Sequence, residues 1–266
     1  MKAHTAASGR KLCALVAAAG RGTRLGADVP KVFVPLAPGV TIWKVLHEAL
    51  APLADRIVLV LSPEGRVYAE KNRAEFSPGC FDQTEIAVQP EPLGMGDAIF
   101  GAADLWRDAD DLLIVWGDQV HLSQKTLETC LALHAAQPSP GFTLPVVRQE
   151  TPYVEYVFAG DRLSRVLQSR EGDVCGPNGF SDVGVFLLRG GNSLIAEWQR
   201  YRAVTPRGHV TSEINFLPFL AHLSMVAGWP VNRYETDDPA EAIGINTPEE
   251  LAAARELWRR KGGKIS

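Results

Sequence analysis

Apolar runs of strand length alternate along the chain with amphipathic segments whose apolar residues recur at helical spacing. This alternation is the pattern of a mainly parallel sheet covered by helices, an α/β chain. The first predicted strand is Leu12 to Ala19. Beyond a glycine-rich loop, Thr41 stands as the cap of a helix in which Ile42, Val45, Leu46, Ala49, Leu50 and Leu53 share one face. Strand Ile57 to Leu61 follows, then Glu85 to Gln89 and a helix from about Gly94 to Leu105. Strand Leu112 to Trp116 is apolar throughout and so expected to be covered on both faces.

From Gly141 to Leu188 the pattern changes. Short extended pieces, Tyr156 to Ala159 and Leu163 to Leu167 among them, are separated by polar turns, which predicts an inserted β-rich lobe. Helices return at about Asn192 to Tyr201 and Glu213 to Met225, followed by a short strand. The last helix opens at Thr247 as N-cap, with Pro248 at its first position and Glu250 completing a capping box. No repeat or linker divides the chain, so the expectation is a flexible tail over residues 1–10 and one domain over 11–266.

Composition excludes several roles. With 266 residues the chain is long enough to bury a large core without disulfides or a structural metal. The charge is −4, and the cations are scattered instead of clustered, so nucleic acid is not an expected partner. No apolar run approaches the ~20 residues of a bilayer span, and none lies between Lys2 and Arg10 to form a signal peptide, so no membrane partner is expected. Cys13, Cys80, Cys130 and Cys175 stand far apart with no CxxC pair, which fits a reduced, cytoplasmic setting. The histidines show no zinc-ligand spacing.

The chemistry is concentrated after the first strand, in Ala17-Ala18-Ala19-Gly20-Arg21-Gly22-Thr23-Arg24-Leu25-Gly26, with Pro30-Lys31 following. Glycines at 20 and 22 let the backbone bend and turn its N–H groups toward phosphate oxygens, while Arg21, Arg24 and Lys31 gather positive charge on one sheet edge. The loop has neither the Walker Gly-Lys-Ser/Thr nor the dinucleotide GxGxxG spacing.

The run GxGTRL with Pro-Lys a few residues on resembles the signature of the sugar-phosphate nucleotidyltransferases. It is most similar to the uridylyltransferase domain that makes UDP-N-acetylglucosamine, and the resemblance runs from Leu12 to about Glu256. It implies a Rossmann-like, mainly parallel sheet flanked by helices, with the β-rich lobe binding the acceptor. It also implies an enzyme that joins an NMP group from an NTP to a phosphorylated small molecule. Nucleotide contacts fall on Ala18, Gly20, Arg21, Gly22, Thr23, Gln89 and Gly94, and catalytic cations on Arg24 and Lys31. The Gln89 amide offers a donor and an acceptor, which suits a uracil edge. Mg²⁺ is the implied cofactor, held by Asp118 at the end of the apolar strand and by Asn246.

Around the acceptor the chain departs from these relatives. Val154-Glu155-Tyr156 stands for a Tyr-Gly-Arg strand, Gln168 for a glutamate, Asp182 for an asparagine and Arg170 for a lysine. Glu155, Gln168, Arg170, Asp182 and Glu213 are the candidate acceptor contacts. The acceptor is expected to be a sugar 1-phosphate or a related phosphorylated compound, and N-acetylglucosamine 1-phosphate itself is not expected. UTP is the first candidate donor. A cytidylyltransferase using CTP on a polyol phosphate, amino-alcohol phosphate or phosphonate is the alternative, and a catalytically inactive nucleotide-binding regulator is an alternative of another class. No β-helix of hexapeptide repeats follows, so acetyl transfer is not expected. The sequence is compatible with a homodimer and does not fix an oligomeric state.

Overall fold

The structure is a computed structural model that describes residues 9–20, 22, 25–76, 78–137 and 140–260. Its strands are β1 (Leu12–Ala17), β2 (Pro35–Ala37), β3 (Val40–Thr41), β4 (Arg56–Leu61), β5 (Thr84–Val88) and β6 (Asp111–Trp116). There follow β7 (Phe142–Gln149), β8 (Val154–Ala159), β9 (Arg162–Gln168), β10 (Gly179–Asp182), β11 (Val185–Arg189) and β12 (Val231–Glu235). The α-helices are α1 (Ile42–Leu50), α2 (Pro63–Lys71), α3 (Met95–Gly101), α4 (Gln124–Ala135), α5 (Gly191–Val204), α6 (Leu217–Met225) and α7 (Pro248–Arg260).

Four strands form a parallel row in the order β6-β1-β4-β5. The chain steps outward from β1 to β4 and β5, then returns to place β6 on the other side of β1. The carboxyl ends of β1 and β6 are therefore a topological switch point, where open α/β sheets form their binding crevice. Strand alternation divides β1 between two cores. Leu12, Ala14 and Val16 pack with Trp43 and Leu46 of α1, Leu127 of α4 and Trp258 of α7. Cys13, Leu15 and Ala17 pack with Ile99 of α3, Trp198 of α5 and Phe219 of α6. Covered on both faces, all six residues of β1 are buried, as the apolar run requires.

The expected β-rich lobe is smaller than the sequence suggested. β11 continues the main sheet antiparallel to β6, and β7 joins it. β10 and β11 lie end to end along one edge of β7 while β12 runs parallel along the other. Only β8 and β9 pair separately as a two-stranded ribbon. Apolar β7 and β11 had neighbours waiting in the main sheet, which burial rewards more than a detached lobe would. Two further boundaries move: β1 ends at Ala17, not Ala19, and the helix expected from Glu213 starts at Leu217.

Both capping signals form as read. Thr41 Oγ1 accepts from Lys44 N–H at 3.1 Å. At α7, Glu250 N–H donates to Thr247 Oγ1 at 3.2 Å, and Glu250 Oε2 accepts from Thr247 N–H at 2.9 Å and from Asn246 N–H at 2.5 Å. At the opposite end of β6 from the crevice, buried Asp111 accepts from Arg189 Nε at 2.9 Å and from Arg10 Nε at 3.1 Å. His134 Nε2 lies 3.3 Å from the same carboxylate. The cysteines are free thiols, and burial pushes Cys13 and Cys130 up to about 12 and Cys80 to about 11, so these three are inert as nucleophiles at neutral pH. Among the described residues no helix is long and apolar enough to cross a membrane.

Candidate active site

The crevice at the ends of β1 and β6 is built by close backbone approach. Gly117 follows β6, and its N–H donates to Ala17 C=O at 3.0 Å. A Cβ at Gly117 would stand 2.7 Å from Ala18 Cβ and 2.9 Å from Ala17 O, so only glycine allows this approach. Asp118 is thereby set beside the start of the glycine-rich loop. In that loop Gly22 adopts φ 57°, and a side chain there would press on Lys31 Cβ at 3.1 Å. Lys31 opens a short 3₁₀ turn, Lys31–Phe33, in which Val32 and Phe33 are buried, so its backbone is anchored while its ammonium reaches inward.

Three residues far apart in sequence converge there. Lys31 Nζ lies 2.7 Å from Asp118 Oδ2 and 3.1 Å from Asn246 Oδ1. Ile245 N–H donates to Asp118 C=O at 3.2 Å, and Gly244 packs so closely that a Cβ would meet the Asp118 carboxyl at 3.1 Å. Asn246 is fixed from the other side by the Glu250 carboxylate at its backbone N–H. Its segment is tied down by buried Glu241, which accepts from the Ser123, Thr126 and Thr236 hydroxyls. Two hard oxygens thus already face one cation, the ammonium. That is the donor type and number Mg²⁺ takes from a protein when phosphates and water fill its other positions. Among the described residues no group of three or more His, Cys, Asp or Glu side chains could hold a metal.

The crevice continues in two directions. Ala17, Ala18, Gly20, Lys31, Met95 and Asp118 line the side where the sequence reading expects the nucleotide. On the side where the sequence reading expects the acceptor, a cleft of about 630 Å³ includes Tyr153, Gln168, Arg170, Asn215, Asn246 and Glu250 in its walls. Gln168 and Val154 are paired across β8 and β9 and both face it. Arg170 shares one nitrogen between Glu213 Oε2 at 2.9 Å and Asn215 Oδ1 at 2.8 Å, and of these two partners only Asn215 lines the cleft.

Two candidate acceptor residues have partners within the chain. Glu155 is one position out of phase with Val154 on β8, so it points the other way and accepts from Gly176 N–H at 2.6 Å. The Asp182 carboxylate is committed within the chain, accepting from Gly184 N–H at 2.7 Å and Tyr156 O–H at 2.9 Å. Desolvation pushes the Asp182 carboxyl up from its ordinary value. A raised folded-state pKa gives stability that is full below the unfolded value and is lost as pH rises through the folded one. Asp182→Asn is therefore expected to gain stability relative to the parent as pH increases. Urea denaturation at about pH 4 and about pH 7 measures this, and an equal difference at both would contradict it.

Gln89 also has partners within the chain. It is buried, and its Nε2 donates both to Gly94 C=O at 2.9 Å and to Asp97 Oδ2 at 2.8 Å. Both partners only accept, so the amide's orientation is fixed and its donor half is used inside the chain. Gly94, with φ 109°, packs where a Cβ would lie 2.8 Å from Ile214 N. Arg21, Thr23 and Arg24 lie outside the described residues. Sequence reading missed Met95, Tyr153, Asn215 and Glu250 as lining residues. Met95 adjoins the matched Gly94 and was within reach, whereas Asn215 sits in an irregular segment with no periodic signal.

The family model for the MobA-like NTP transferase domain matches residues 14–181, which includes Lys31 and Asp118 and stops short of Asn246. The chain belongs to this family. It is thus a nucleotidyltransferase, and the switch-point crevice is where an NTP transferase of this fold would work. Among curated proteins it is 28% identical over 251 residues to the bifunctional protein GlmU of Paramagnetospirillum magneticum, covering 93% of this chain and 52% of that one. It is 27% identical over 263 residues to the bifunctional protein GlmU of Desulfitobacterium hafniense, with 93% and 52% covered. The chain spans about half the length of these relatives. Among solved structures, HddC from Yersinia pseudotuberculosis complexed with GMP-PN superposes with a TM-score of 0.60 at 18% identity, over 93% of this chain and 99% of that one. A putative glucose-1-phosphate thymidylyltransferase from Bacillus anthracis in complex with a sucrose gives 0.64 at 14% identity, over 93% and 95%. At these identities the likeness is one of fold.

Proposed function

We propose that this NTP transferase moves an NMP group from an NTP, with UTP the first candidate, to a sugar 1-phosphate or related phosphorylated small molecule. Pyrophosphate is released, and Mg²⁺ is required. The observation that carries this reading is the meeting of Lys31, Asp118 and Asn246 at the switch point, beside a cleft large enough for a phosphorylated acceptor. An acceptor phosphate is already anionic near neutral pH, so no protein nucleophile and little general-base help is needed; the barrier is charge repulsion and positioning. A non-bridging acceptor oxygen attacks the α-phosphorus in line, and the P–O bond to pyrophosphate breaks. Lys31 offsets charge at the reacting centre, and the amides around Gly20 and Gly22 hold the leaving pyrophosphate. Arg24 is assigned to the same leaving group on its sequence position alone. Asp118 and Asn246 would hold Mg²⁺, whose chemistry is to neutralise phosphate charge and orient the two anions.

A second reading is favoured by the Gln89 contacts. With only its acceptor half available, the amide meets uracil N3–H and cytosine N4–H₂ equally well, which keeps a cytidylyltransferase open. A panel of four NTPs against sugar phosphates, polyol phosphates, amino-alcohol phosphates and phosphonates, read by pyrophosphate release, tests both. Preference for UTP with a sugar 1-phosphate supports the first reading, and CTP preference replaces it with the second.

Because Glu250 fixes Asn246, Glu250→Ala is expected to weaken Mg²⁺ activation by roughly 10–100-fold, the usual cost of losing a group that orients a metal ligand. The magnesium concentration giving half-maximal turnover measures it. An unchanged value would remove Asn246 from the metal site.

A further inference from the structure

We infer that Lys31 is the resident cation of the metal site, so that a divalent ion and the Lys31 ammonium compete for the same two oxygens and the ion enters only with the triphosphate. This rests on the reading of Asp118 and Asn246 as metal ligands. The ammonium lies within hydrogen-bond distance of both Asp118 Oδ2 and Asn246 Oδ1, the two atoms that reading gives to the ion. A divalent ion bound to those oxygens would meet the positive charge of the Lys31 ammonium at contact distance. The Lys31 and Asp118 side chains are only 19% and 17% exposed, so water screens this repulsion poorly.

The surroundings give the two ligands little room to avoid the conflict. Asp118 is held by Gly244 and Ile245, and Asn246 by Glu250. The Lys31 backbone is anchored by buried Val32 and Phe33, so relief comes from swinging the lysine side chain. A triphosphate arriving on the nucleotide side supplies the new anionic partner. The ammonium moves to phosphate oxygens, which frees Asp118 Oδ2 and Asn246 Oδ1 as the two oxygens that would hold the ion. Metal and nucleotide then promote each other's binding by the same factor. The device keeps free divalent ions from occupying the site before substrate is present.

The probe is Mn²⁺ alone, titrated by electron paramagnetic resonance into the full chain without nucleotide. Lys31→Met keeps the length of the side chain and removes its charge. The variant is expected to bind Mn²⁺ at least about 10-fold more tightly than the parent, the consequence of deleting a like charge at contact distance in a poorly screened site. Matching thermal denaturation of the two proteins verifies folding. Binding no tighter in Lys31→Met than in the parent overturns the inference while leaving the metal ligands standing. Binding in Lys31→Met that persists unchanged after adding Asp118→Ala places the ion elsewhere and overturns the metal reading, and the inference with it.

Discussion

Asp118→Ala is expected to lower turnover by about 10²–10³-fold with the fold intact, and Lys31→Ala by a similar factor, the usual cost of deleting one preorganised electrostatic group from a phosphoryl-transfer site. The two side chains meet 2.7 Å apart at the carboxyl end of the sheet, and neither belongs to either apolar core. Their loss should therefore appear in the chemical step and not in global stability. Pyrophosphate release at saturating substrate, with far-ultraviolet circular dichroism to verify folding, measures the effect. Turnover near that of the parent in both variants would remove these residues from the reaction.

The largest expected effect on stability lies at the other end of β6. Asp111→Ala should destabilise the protein by about 3–5 kcal/mol, because it strips the partner from a buried guanidinium and leaves the charge uncompensated. Arg189 is buried, its Nε donates to Asp111 at 2.9 Å, and its other nitrogens donate to the backbone carbonyls of Gln137 and His134. Those two bonds remain in the variant, but no negative charge replaces the carboxylate they surround. Because the network is remote from the crevice, the fraction that stays folded should turn over normally. Urea denaturation with an unchanged slope and an earlier midpoint is the expected result, and a loss under ~1 kcal/mol would mean that water compensates the guanidinium.

Local signals predicted the parts of this structure that depend on local interactions. The β6 run read as a doubly covered strand because no polar residue interrupts Leu112–Val115. The start of α7 could be placed to the residue because a capping box is a short-range hydrogen-bond pattern, and it is the same pattern that fixes Asn246. What escaped was determined by partners distant in sequence. Whether β7 and β11 join the main sheet or a lobe depends on which edge is free, and nothing within Gly141 to Leu188 encodes that.

The site divides along the same line. Lys31 and Asp118 lie in motifs attached to strand ends, so their type and place were readable. That their side chains and Asn246 meet at one point depends on a contact between segments over 200 residues apart. Glu155 lies one position of strand alternation from cleft-lining Val154, a phase that a half-exposed, irregular ribbon does not announce in its pattern. Gln89 was read as donor and acceptor because the type of side chain is visible in sequence, whereas its use by Gly94 and Asp97 is not.

The measurement that bears most directly on the shared cation-centred site is a double-mutant cycle on the single-turnover rate of NMP transfer with Lys31→Ala, Asp118→Ala and the pair. Residues that serve one reacting centre lose their effect together, so the double variant should be slower than either single variant by less than about 10-fold. Losses that multiply to about 10⁴-fold or more would show two independent contributions and contradict a common centre.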